Sequence, residues 1–224
     1  MANFQIQIEN IAGKIATSTG TDLTVYRNML NDFLKQSARA LLDTLPNAVL
    51  ERDAIQSAIT TNAGFDITDK KIIKVLRNGF GCVVVPLEFK ARLEAGSGSI
   101  FEPSKKSPVY FLEGQSSGGA KLFVKPIPTS EEPAHIDFNS YPSPIYTENS
   151  INNFPDRAEY TIVIGAAIRL LQHKLNKLLH SDEDVELVNV AQQELMTIQN
   201  MYNEDLTRLG GIPPMTQGAP VGAE

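Results

Sequence analysis

The sequence holds no tryptophan, one cysteine and three histidines among 224 residues, and each scarcity closes off a class of function. With Cys82 alone, neither an intrachain disulfide nor a cysteine-rich metal site can form. Flanked by a valine run, that thiol reads as buried rather than reactive. A carbohydrate-binding face needs grouped, exposed aromatics; tryptophan is missing, and Tyr110, Phe111 and Phe123 read as core. No apolar run is long enough to span a bilayer. The opening Met-Ala-Asn-Phe-Gln-Ile lacks the basic and apolar regions of a signal peptide, so the cytosol is the default compartment. An excess of positive charge is also missing: the net charge of −6 argues against non-specific attraction of the whole molecule to nucleic acid or to an anionic membrane.

Catalytic signatures are missing as well. There is no Gly-x-x-x-x-Gly-Lys-Ser/Thr phosphate loop, no Gly-x-Ser-x-Gly elbow and no His-Glu-x-x-His zinc helix. The glycines from Gly114 to Gly119 precede a strand-like run, which makes them a hairpin turn rather than a ligand loop. His173 and His180 are seven residues apart, whereas zinc held by two helical histidines usually uses a spacing of about four. His135 and Asp137 would share one face of a strand, but no nucleophile is identifiable beside them, so a structural role is favoured. The acids at 182–184 lack the glycine and spaced ligands of a calcium loop and read as helix-start acids. The residues therefore predict a protein that is not an enzyme and has no cofactor or metal.

What is present is helical periodicity at both ends of the chain. Leu23, Tyr26, Met29, Leu30, Phe33, Leu34, Ser37, Leu41 and Leu45 lie on one helical face that Pro46 ends. A second helix is expected to restart at Pro46-Asn47 and run through Val49, Leu50, Ile55 and Ile59. Far along the chain, Pro155 begins a helix with Tyr160, Ile164, Ala167, Ile168, Leu171, Leu175 and Leu178 on its apolar face. Ser181 and the following acids should open another, with Val188, Ala191, Leu195, Ile198, Tyr202, Leu206 and Leu209 as a narrow seam between Gln192, Gln193, Gln199 and Asn200. Gly210-Gly211 and Pro213-Pro214 stop it. Packing the front helices on this hairpin is the simplest way to cover both apolar faces.

Between these ends the texture is that of strands. Lys71 to Leu76 and Cys82 to Val85 flank Asn78-Gly79, the strongest short hairpin signal. Pro86 to Leu93 reads as a short helix, Val109 to Leu112 and Lys121 to Lys125 as a second hairpin, and His135 to Asn139 as a final strand. Pro126, Pro128 and Pro133 confine their segment to an edge or loop. Phe4 to Ile8 alternate and read as a strand or arm, with loop up to Gly20. The expected class is α+β: a helical bundle from the N- and C-terminal helices, an antiparallel β insertion and an extended C-terminal arm. Its parts are an N-terminal arm and helices (1–64), the β-rich insertion (65–150), a C-terminal helical hairpin (151–209) and a low-complexity tail (210–224). Such a tail cannot bury enough apolar surface to fold alone; it reads either as a frayed terminus or as an arm that orders on a partner, anchored by Ile212, Pro213, Pro214 and Met215.

Several stretches carry a resemblance: Arg77-Asn-Gly, Val85-Pro-Leu-Glu, Ser107-Pro-Val-Tyr-Phe-Leu-Glu-Gly, Lys121-Leu-Phe-Val-Lys-Pro-Ile-Pro, Phe154-Pro-Asp-Arg-Ala-Glu-Tyr and Gly165-Ala-Ala-Ile-Arg-Leu-Leu, then the helix from Val185 to Leu206. Over about residues 22 to 209 the layout resembles the head-to-tail adaptors of tailed bacteriophages, the connector, gatekeeper or tail tubular protein A group. The first twenty residues and the tail fall outside the likeness. The resemblance implies a virion protein assembled in the host cytoplasm as a ring, typically a dodecamer. It would bind the portal protein on one side and the tail nozzle or tube on the other, with DNA only passing through. Residues 212–215 become the candidate portal contacts. The alternatives are a neck or tail-completion protein and, in another class, a small carbohydrate-binding or hydrolytic module built on the β insertion.

Overall fold

The computed structural model describes residues 2–14, 21–94, 102–116, 118–180 and 185–210. The protein is α+β, and its chain divides into two compact units: Met1–Val49 with Pro142–Glu224, and Leu50–Tyr141.

In the helical unit, α1 (Phe4–Ala12), α2 (Thr21–Thr44) and α6 (Val185–Arg208) each pack on α5 (Asp156–His180). Helix α1 stands where alternation predicted a strand or arm. Phe4, Ile8 and Ala12 are buried four residues apart while Ile6 is exposed, so the period is helical, and the Asn3 side chain accepts the Ile6 N–H to cap the first turn. Lys174 of α5 donates from Nζ to the Ala12 and Gly13 carbonyls at the other end, with burial lowering its pKa. Helix α2 buries Tyr26, Leu30, Leu34, Ser37 and Leu41 of the expected face, and Ala38 and Leu42 beyond it. Helix α5 departs from the one-face pattern: every residue from Thr161 to Ile168 is buried, because partners lie on several sides, and Tyr160 is open to solvent. Its first turn follows Pro155 with Asp156 and Glu159 near the positive end of the helix dipole. Glu159 accepts the Ile151 N–H, and burial pushes its carboxyl pKa up. All seven seam positions of α6 are at least half-covered, and Gly210, at φ +80°, closes the helix by donating its N–H to the Thr207 carbonyl. Ser181 and the acids after it lie outside the described residues.

The second unit begins earlier in the chain than the expected boundary at 65. The helix expected through Ile59 lasts one turn, α3 (Asn47–Leu50), followed by a 3-10 turn at Glu51–Asp53 and a strand, β1 (Ile55–Ile59). Ile55 and Ile59 sit four apart, a spacing that suits a helix and a strand alike; pairing with β8 (Ala134–Ser140) decides for the strand. One four-stranded sheet has the order β1-β8-β3-β4, with β3 (Lys70–Arg77) and β4 (Phe80–Gly81) joined through Asn78 and Gly79, both at positive φ as a two-residue hairpin requires. The other has the order β2-β7-β6-β5, from β2 (Phe65–Asp66), β7 (Ala120–Lys125), β6 (Val109–Gly114) and β5 (Val83–Val84). The insertion is not wholly antiparallel: β5 runs parallel to β6. The expected hairpin partner is also displaced: across the turn β3 pairs with Phe80–Gly81, whereas Val83–Val84, within the expected Cys82–Val85 strand, join the other sheet as β5. Both sheets contribute to one core, Ile59, Val75, Ala134, Ile136 and Phe138 from the first and Leu122 and Val124 from the second. Pro86 is followed by a 3-10 turn (Leu87–Phe89) and α4 (Lys90–Glu94), with Lys90 over the Phe111 ring, which stacks on Phe123.

Candidate interaction surfaces

Three helices converge at Gly165. A Cβ there would stand 3.1 Å from both Cβ and Oγ of Ser37 on α2 and 3.4 Å from Cε2 of Tyr202 on α6, so glycine is what permits this approach. Beside the crossing lies a groove of about 550 Å³, lined by Ala40 of α2, Ile168 of α5, and Met196, Gln199 and Asn203 of α6. That volume is within the roughly 300–1,000 Å³ of ordinary ligand pockets. Its edge also holds two buried polar atoms without a hydrogen-bond partner among the described residues, Ser37 Oγ and Arg169 Nε. Burial raises the Tyr202 hydroxyl pKa, against the nearby positive charge of Arg169. The groove is bordered by an exposed Met196, and α6 further exposes Leu187 and Val190 off its seam.

The second surface belongs to the β unit. Strand β5 is an edge strand, and successive residues of a strand point to opposite faces, yet Val83 is 61% and Val84 58% exposed, so neither face is covered. Val83 and Val85 donate their N–H groups to Pro108 and Tyr110 of the β6 side, which turns the Val84 amide toward the open edge. Phe80 and Leu87 extend the apolar exposure along the same stretch. Monomeric proteins usually blunt such an edge with charge, a bulge or a cover.

Near this edge, Arg77 is 2% exposed and donates to the carbonyls of Glu132 (2.8 Å) and Ile127 (3.1 Å), with Glu132 Oε2 at 3.6 Å. It pins the proline-bearing segment after β7 from inside. Lys105 above all, then a hydrogen bond from Asn78 and the charge of Arg77, hold the Glu132 carboxyl below the usual carboxylate range.

The individual candidates of the sequence fare as follows. Cys82 packs against the β core, and desolvation pushes its thiol up to about 11. His135 and Asp137 share a face of β8, half-buried, where Asp137 Oδ1 accepts from Gln56 Nε2 at 2.9 Å across the β1 pairing. His173 and His180 are exposed on α5. Among the described residues no three acids, histidines or cysteines converge as metal ligands, and no helix is long and apolar enough to cross a membrane. Ile212, Pro213, Pro214 and Met215 lie outside the described residues. The groove was not foreseen; the polar Gln199 and Asn200 beside the α6 seam were its only trace, because a groove across three helices has no signature in any one of them. No protein-family model matches the chain, and no curated protein matches it.

Proposed function

We propose that the chain is a non-enzymatic virion structural protein, a head-to-tail adaptor that forms a ring below the portal protein, connects the DNA-filled capsid to the tail and lines the DNA channel. The observation that carries this reading is the uncovered apolar edge of the β unit, Phe80, Val83, Val84 and Leu87. Head-to-tail contacts that close by rotation build rings, and an open strand edge is the kind of surface such contacts use. Charge supports it as well. The β unit holds 11 basic and 11 acidic residues, leaving 9 and 15 for the helical unit, so the whole net charge of −6 belongs to the helical unit. Acidic walls repel phosphates and let a genome slide through. In this reading the tail, through Ile212, Pro213, Pro214 and Met215, reaches the portal, and the virion is where the protein resides.

Native mass spectrometry of the chain with and without the portal of the same virus tests the reading. A ring on the portal is expected. A chain that stays monomeric in both conditions would falsify it. Val83→Lys with Val84→Lys should change stability by no more than about 0.5 kcal/mol, since both side chains are exposed. The same pair should abolish ring formation.

A further inference from the structure

We propose that the groove between α2, α5 and α6 is a docking site for the chain's own C-terminal segment, with residues 212–215 seated in it. Three observations meet here. The first is position. Gly210 ends α6 beside the end of α2: a Cβ on it would lie 3.7 Å from Pro46 Cγ and 3.9 Å from Val49 Cγ2. Ala40 and Ser37, the α2 residues of the groove, precede Pro46 on the helix that ends there, so the chain leaves α6 at one end of the surface that leads back to the groove.

The second is reach. At 1.5 Å per helical residue, Asn203 is about 10 Å and Met196 about 21 Å back from Gly210. A proline-rich segment advances about 3.1 Å per residue, so residue 215 reaches about 15 Å and residue 217 about 22 Å. The four anchors therefore span the near half of the groove without stretching.

The third is chemistry. Gly-Ile-Pro-Pro-Met-Thr-Gln carries no charge, and its prolines offer carbonyl acceptors without N–H donors. The groove offers the complement: donors on Arg169, Gln199 and Asn203 together with the apolar side chains of Ile168 and an exposed Met196. Extended proline-rich segments are recognised by this combination of an aromatic or apolar trough and side-chain donors. The docking describes the free chain and needs no other molecule; on the portal the same residues would leave the groove, so the test below is made without portal and its failure leaves the adaptor reading standing.

The test uses the full chain with Cys82→Ser, so that introduced thiols are the only ones. In Met196→Cys with Gln217→Cys, a bond within one chain is expected, with a yield that does not change on dilution. Leu187→Cys with Gln217→Cys is the control, since Leu187 is about 34 Å along the helix from Gly210, beyond the same reach. Adding Ile212→Asp and Met215→Asp should lower the first yield at least tenfold. Equal bonding at Met196 and Leu187, bonding only between chains, or no bonding would each overturn the proposal. Amide exchange of the unlinked protein gives a second reading: residues 196–203 should exchange severalfold faster in the Ile212→Asp, Met215→Asp chain than in the wild type, and equal rates would overturn the docking.

Discussion

The helical unit is acidic and built from a few long segments, while the β unit has no net charge and is built from short strands, eight among the described residues, brought together from distant parts of the sequence. The difference is one of range. In the helices each buried residue announces its neighbours three or four positions away, whereas in the sheets β1 meets β8 some eighty residues later and β5 meets β6 across residues 85–108. Stability in the first unit therefore concentrates at side-chain packing around one central helix. In the second it depends also on polar contacts that hold loops to strands.

Substitutions at the two centres sharpen this contrast. The largest expected effect is Ile164→Ala in the fully enclosed part of α5, which leaves a cavity and should cost about 2–5 kcal/mol. Urea unfolding followed at amides of the helical unit measures it, and a loss under about 1 kcal/mol would show that α5 is less enclosed than its surroundings indicate. Next is Arg77→Met in the β unit, of similar bulk but unable to donate. It strands the carbonyls of Ile127 and Glu132 and should cost about 2–4 kcal/mol, read at amides of the β unit. A neutral outcome would mean that packing, not the guanidinium, holds that segment.

The smallest effect is kinetic. Because burial raises the Cys82 thiol to about 11, it stays protonated through neutral pH, and alkylation should rise roughly tenfold per pH unit from pH 8 to 10. The urea-unfolded chain, with its thiol at an ordinary value, should react on the order of a hundredfold faster at pH 8. A plateau near pH 9 in the folded protein would contradict the desolvation.

These same regions explain what could be read from residues alone. The α6 seam was readable position by position, because one side of that helix packs and the other meets solvent. On α5 the periodicity placed the helix but misjudged Tyr160, since a helix enclosed on several sides has no single face to reveal. Phe4-Gln-Ile-Gln-Ile satisfied a strand's alternation over five residues, too short a span to tell period two from period four until α5 and Lys174 were in place. Ile55 and Ile59 were misassigned for the converse reason.

Composition and spacing by themselves determined the α+β class, the long helices and the Asn78-Gly79 hairpin, all of which rest on interactions between near neighbours in the chain. Which sheet each strand joined, where the β unit begins, the parallel β5–β6 edge, the buried Arg77 and the groove at Gly165 were decided only in three dimensions. Each depends on partners separated by tens of residues, and the free energy of such a contact exists only once both segments are already folded against each other.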